Sequence, residues 1–182
     1  MLIELPANRR FFSIIFCLLL SACSSVDVST YRDSTPVFIA EEFFDGPLIA
    51  SGVLKDRSGK VTRKFTADIK AYWRDGVGTL EEDFLFDDGE VTRRVWTLTP
   101  DGPNRYQATA GDVVGPGTAS VSGNSMFLKY VLSVPYSGST IDLSVDDRMY
   151  LVTPDLLLNE SVLSKFGVRV AEIVLSIRRL ES

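Results

Sequence analysis

The sequence predicts an all-β chain, folded as an antiparallel up-and-down barrel of about eight to ten strands with a short N-terminal helix or extended segment before it. Three observations carry this. From residue 48 onward, apolar residues recur at every second position in one segment after another, the period of a half-buried strand. Clusters rich in turn-forming residues (DRSGK, RDGVG, DDGE, PDGPN, GN, SGS) separate these segments at near-regular intervals. The connections are short enough for hairpins, so consecutive strands are expected to pair. A sandwich is the other solution, but closure into a barrel removes the exposed sheet edges.

The N-terminus is of a different kind. Arg9 and Arg10 precede the apolar run 11–20, FFSIIFCLLL. A helix needs about twenty residues to span a bilayer, so this run is too short. A basic region, a short apolar region and small residues before a cut site describe a secretory signal. Leu20-Ser21-Ala22-Cys23 further resembles a bacterial lipobox, which implies that Cys23 receives acyl chains such as palmitate and becomes the new N-terminus. One acyl chain anchors only marginally, at about 0.8 kcal/mol per buried CH₂, so stable attachment takes several. The resemblance also implies placement on the periplasmic face of the outer membrane, because Ser24 stands where an inner-membrane retention signal has Asp. The expected organisation is a signal over 1–22, a small polar tether over 23–35 with lipidated Cys23, and a barrel domain over 36–182.

The segment 37–44, VFIAEEFF, fits a short helix or a first strand. Residues 48–55 begin the alternating segments. In 61–73 the alternation is clean: Phe65, Ala67, Ile69, Ala71 and Trp73 share one face, and Thr66, Asp68, Lys70 and Tyr72 the other. In 79–86, Leu80, Phe84 and Phe86 share a face with Glu82. Segments 91–98, 105–110 and 117–122 follow. Then 125–134 alternates on Met126, Leu128, Tyr130, Leu132 and Val134. Ile141, Leu143 and Val145 continue the pattern, and 147–152 extends it past an expected bulge at Asp146-Asp147. Residues 154–165, containing LLLNESVLSK, fit a helical turn or a strand. Residues 168–178 close the chain with Ile173, Leu175 and Ile177 on one face. The opposite faces carry Asp, Lys and Arg, where a membrane-spanning barrel needs an apolar band.

Composition excludes several functions. Without 1–22 the chain loses Glu4, Arg9 and Arg10, so 19 basic and 24 acidic residues become 17 and 23, a net charge of −6. No basic cluster suggests nucleic acid. The chain has no histidine, which removes Ser-His-Asp triads, Cys-His dyads and His-based zinc sites. Cys17 leaves with the signal and Cys23 is acylated, so no disulfide is expected. No phosphate loop or dinucleotide fingerprint occurs, and no cofactor is expected.

Several short motifs keep a fixed order: DGPLIASG at 45–52, the DRSG turn, Arg94-Val95-Trp96, Asp112 to Gly115, Gly123-Asn124, Asp146-Asp147, Asn159 and Lys165-Phe166-Gly167. In this order the chain from about residue 36 resembles the domain-of-unknown-function 3833 family of proteobacterial lipoproteins. The resemblance implies an outer-membrane lipoprotein with a lipocalin-like barrel and no assigned activity. Members often lie near genes of unusual fatty-acid metabolism, which implies a connection to lipid. This chain departs from the family pattern at Met149, where a Trp is common. It also has Phe43-Phe44-Asp45-Gly46 where true lipocalins carry Gly-x-Trp.

The candidate binding residues are Trp73, Phe84, Phe86, Trp96 and Tyr130, which would line an apolar cavity or simply pack the core. Glu82 and Asp147 are acids at inward positions. They would form a polar floor for a ligand head group or be structural, paired with Arg93 or Arg94, with Asp147 turned outward if the bulge forms. Asp146 and Asp147 make a poor catalytic pair, because neighbours on a strand point to opposite faces. A calcium site from Asp112, Asp146, Asp147 and Asn159 lacks any known ligand spacing. Neither a catalytic nor a metal residue is therefore assigned. The leading expectation is a non-enzymatic lipoprotein that binds or handles a fatty-acyl or other small apolar ligand inside its barrel. A scaffold that binds a partner protein through its outer surface is the alternative, and a lipid-modifying enzyme the third.

Overall fold

The computed structural model describes residues 25–181. Ten antiparallel strands run round a closed barrel in chain order: β1 (Gly46–Asp56), β2 (Val61–Arg74), β3 (Val77–Phe86), β4 (Val91–Pro100), β5 (Arg105–Thr109), β6 (Gly117–Ser122), β7 (Ser125–Tyr136), β8 (Ser139–Thr153), β9 (Leu156–Lys165) and β10 (Val168–Arg179). β10 pairs back onto β1, with Ala50 opposite Ile177, so none of these ten strands is left as an edge. Every connection is a hairpin or short loop. The tight turn at Asp75-Gly76 places both residues in the left-handed region (φ 50° and 77°), the twist that a two-residue hairpin requires.

The alternation of the sequence is the alternation of the wall. Ala67, Ile69 and Ala71 of β2 are at most 4% exposed, while Thr66, Asp68 and Lys70 face out. β3 turns Leu80, Glu82, Phe84 and Phe86 inward in register with this face.

One end of the barrel, where β2 turns into β3 and β6 into β7, is plugged. The segment 37–44 forms a one-turn helix, α1 (Ala40–Phe43), which settles the choice between helix and strand. It folds this way because Phe38, Phe43 and Phe44 converge on the barrel opening, all 2–3% exposed and in ring contact at 5.3–5.7 Å. The plug is also bonded in place. Phe38 N–H donates to the Gly123 carbonyl (2.8 Å), Trp73 Nε1–H to the Phe44 carbonyl (3.0 Å), and Arg179 to the carbonyls of Glu42, Phe43 and Asp45.

Two expectations change and one open choice is settled. The tether over 23–35 is not free along its length. Val28–Tyr31 is a 3-10 turn capped by Asp27, and the Tyr31 ring docks on Phe127 and Tyr150 of the outer wall at 5.9 and 5.4 Å. An aromatic cluster offers apolar area that a polar-looking segment conceals. Second, β7 and β8 pair without interruption across Asp146 and Asp147, and the register shift lies further on, near Leu151. Asp147 therefore stays inward. Third, residues 156–165 are a strand. Its inward positions are Leu157, Asn159, Ser161 and Leu163, and two polar residues on that face hide the alternation. The expected signal and Cys23 lie outside the described residues.

β5 and β6 are short, so they do not close the wall between β4 and β7 at the other, upper end. The loop 110–116 fills that gap. Val114 N–H donates to Val131, and Ser133 N–H to Asp112.

Candidate ligand-binding cavity

The barrel interior divides into a plugged lower part and a cavity of about 120 Å³ above it. Phe44 of the plug floors the cavity, and Leu80, Trp96, Leu128 and Met149 supply apolar wall. Phe65 and Phe84, ring to ring at 5.7 Å, stand toward the upper mouth.

Five strands direct polar side chains into this space. β3 supplies Glu82, β4 Arg94, β7 Tyr130, β8 Asp147, and β9 both Asn159 and Ser161. Asp147 is 8% exposed and satisfied: it accepts from Ser161 Oγ (2.8 Å) and from Asn159 Nδ2. Arg94 stands opposite Glu82 in the β3–β4 register, yet it is bound elsewhere. Its Nε (3.1 Å) and Nη2 (2.6 Å) grip the Asp112 carboxylate in the 110–116 loop. That fork–fork pair is the strong geometry for a guanidinium. Glu82 is 9% exposed, lines the cavity and has no hydrogen bond to its carboxyl among the described residues.

The electrostatics follow from this. Burial pushes the Glu82 carboxyl up to about 7; Arg94 opposes the rise and Asp147 adds to it. Burial likewise lifts Asp147 to about 6, against the lowering effect of its Asn159 and Ser161 hydrogen bonds. Burial raises the Tyr130 hydroxyl above its ordinary value, with Asp147 adding to the effect, so it stays protonated. At neutral pH the cavity thus presents a carboxyl poised between its two protonation states.

Of the residues expected at a site, Glu82, Phe84, Trp96, Tyr130 and Asp147 border this cavity. Trp73 and Phe86 do not. Trp73 belongs to the plug, where its ring lies over Gly78 so closely that a Cβ there would come within 2.7 Å of it. Phe86 sits at the mouth, stacked on Phe84 at 6.2 Å beneath the Arg63 guanidinium. Arg93 points outward to Glu81 and Asp83 and cannot partner Glu82. The calcium set does not converge: Asp146 faces out to Arg148 (3.0 Å) while Asp147 faces in. Asn159 is 4% exposed and faces inward beside Asp147. Ser161 also borders the cavity and is not among the sequence candidates. Its only signal is that positions 157, 159, 161 and 163 share the period of the neighbouring strands.

These features define a lipocalin-like closed barrel with an apolar interior and a buried polar cluster at its centre. The chain belongs to the family of proteins of unknown function DUF3833, which it matches over residues 17–179. Among solved structures it is similar to the S-type phycobiliprotein lyase CPES from Guillardia theta. The TM-score is 0.57 at 15% identity, covering 80% of this chain and 94% of that one, a likeness of fold. It is also similar to a redesigned β-barrel, mFAP1, bound to DFHBI. Here the TM-score is 0.42 at 11% identity, with 77% and 98% coverage. No curated protein matches the sequence.

Proposed function

We propose that this is a lipid-anchored protein of the outer membrane that binds, without chemistry, a small and mainly apolar ligand inside its barrel. The observation that supports this best is the cavity, an apolar space kept open in an otherwise filled interior, with polar groups that would fix a ligand's orientation. Its driving force is removal of apolar surface from water, at roughly 25 cal/mol per Å². An engineered cavity of about 150 Å³ holds benzene, so about 120 Å³ suits a compact group. A fatty-acyl chain would extend from it past Phe65 and Phe84 through the upper mouth. The anchor reading gains a distance. Cys23 lies four steps along the chain from Asp27, which caps the docked turn, so acyl chains at Cys23 would hold the barrel within roughly 14 Å of the membrane surface.

The scaffold reading rests on Leu85 and Val91, paired across β3 and β4 and 54% and 70% exposed. Two side chains make a much smaller patch than the few hundred Å² that marks an interaction surface.

Native mass spectrometry of the full chain, extracted from cells grown with labelled palmitate, tests both parts. The expected spectrum shows label on Cys23 and a non-covalent small-molecule adduct. A bare chain overturns ligand carriage, and absence of label overturns the anchor.

A further inference from the structure

We propose that the cavity takes a small apolar amine, a compact hydrocarbon or aromatic skeleton whose single cationic nitrogen is held by Glu82. This rests on reading the cavity as a binding site and adds the chemistry of its occupant. Four charged or titratable groups from the surrounding elements face Glu82: Arg94 on β4, Asp112 in the 110–116 loop, Tyr130 on β7 and Asp147 on β8. Arg94 and Asp112 neutralise each other in a bidentate pair, which leaves two carboxyls and, among the described residues that face Glu82, no free cation. Asp147 already has Ser161 and Asn159; Glu82 has no hydrogen-bond partner among the described residues, although it is nine-tenths buried and faces the cavity.

Three kinds of ligand end can be weighed against this arrangement. A carboxylate would lie against two acids, with only Nη1 of Arg94 unused, and would raise the cost of ionising either. A plain hydrocarbon would complete the dehydration of Glu82 and leave it unpaired, the expensive outcome for a buried carboxyl. A protonated amine supplies the missing partner as a charge-assisted hydrogen bond in a low-dielectric site. The aromatic walls agree. Trp96 and Tyr130 meet edge to face at 5.2 Å beside the same space, and ring faces attract cations. The cavity volume admits one ring or its equivalent, which makes benzylamine the fitting probe.

The test compares benzylamine, benzyl alcohol and benzoate on the full chain in detergent, titrated by ligand-observed NMR and by tryptophan fluorescence in a Trp73→Phe background, which leaves Trp96 at the cavity as the emitter. Near neutral pH, benzylamine should bind at least about tenfold more tightly than benzyl alcohol, with benzoate weakest, the size expected of one charge-assisted hydrogen bond. From about pH 8 to about pH 5 its affinity should fall as Glu82 takes up a proton while the amine stays charged, and benzyl alcohol should not follow. In Glu82→Gln the preference should shrink to about twofold, with benzyl alcohol binding retained. Benzyl alcohol or benzoate binding as tightly as the amine, or a flat pH profile for the amine, overturns the amine assignment and leaves the cavity as a ligand site. Failure of all three probes to bind overturns both.

Discussion

At the lower end of the barrel, Phe38, Phe43 and Phe44 fill the opening and the polar groups among them are paired. Trp73 donates to the Phe44 carbonyl, and Tyr106 donates to Glu41 at 2.6 Å. Higher in the barrel, Glu82 is nine-tenths buried and its carboxyl has no hydrogen-bond partner among the described residues. The same wall of alternating strands carries both regions. The lower one contributes stability, because apolar burial there is uncompensated by stranded polar atoms. The upper one is maintained against a cost, and a protein keeps such a group where something other than folding selects it. Asp147 sharpens the contrast within the upper region: two side chains of β9 satisfy it, so the omission at Glu82 is not a general failure to supply donors.

The largest expected effect breaks the lower region. Phe43→Ala removes a ring in contact with both Phe38 and Phe44 and should cost about 3–5 kcal/mol in denaturant unfolding. A loss under about 1 kcal/mol would mean that the plug is not part of the core.

The next bears on the upper region and carries a sign. The folded-state pKa of Glu82, about 7, lies above its ordinary value of 4.5, so the folded protein holds this proton more tightly than the unfolded chain. The group costs nothing below about pH 4.5, its cost grows as pH rises toward 7, and above that it is constant. Glu82→Gln should therefore match the parent near pH 4.5 and exceed it in stability by about 2–3 kcal/mol near pH 8. Equal stability of the two proteins across this range would show that Glu82 is solvated or paired.

The smallest effect concerns the outer wall. Gly123 has φ +55° and supports the docked N-terminal turn, and a Cβ there would overlap the Tyr31 carbonyl oxygen. Gly123→Ala should cost about 1 kcal/mol or somewhat more and release the segment. Limited trypsin digestion should then cut after Arg32 faster than in the parent. Unchanged cutting would place the docking energy elsewhere.

Much of this fold is legible before any coordinates. The β2 face of Phe65, Ala67, Ile69 and Ala71 reads directly, because burial on one side of a strand leaves a period of two. The helix at 40–43 and the strand at 156–165 do not. The first is decided by where three phenylalanines meet, and the second is masked by Asn159 and Ser161 on its inward face. The candidate site divides in the same way. Glu82 and Asp147 stand out as acids among apolar neighbours, but nothing local assigns Arg94 to Asp112, eighteen residues away, over the unclosed wall above the short strands β5 and β6.

The sequence by itself determined the turns and, wherever the alternation is clean, the strands and their inward faces, since these depend on neighbours one or two positions apart. Only the tertiary structure decided which inward residues share a space. Barrel closure fixes that by setting β3 and β4 across from β8 and β9, and with it which buried acid finds its donors and which is left facing an open cavity.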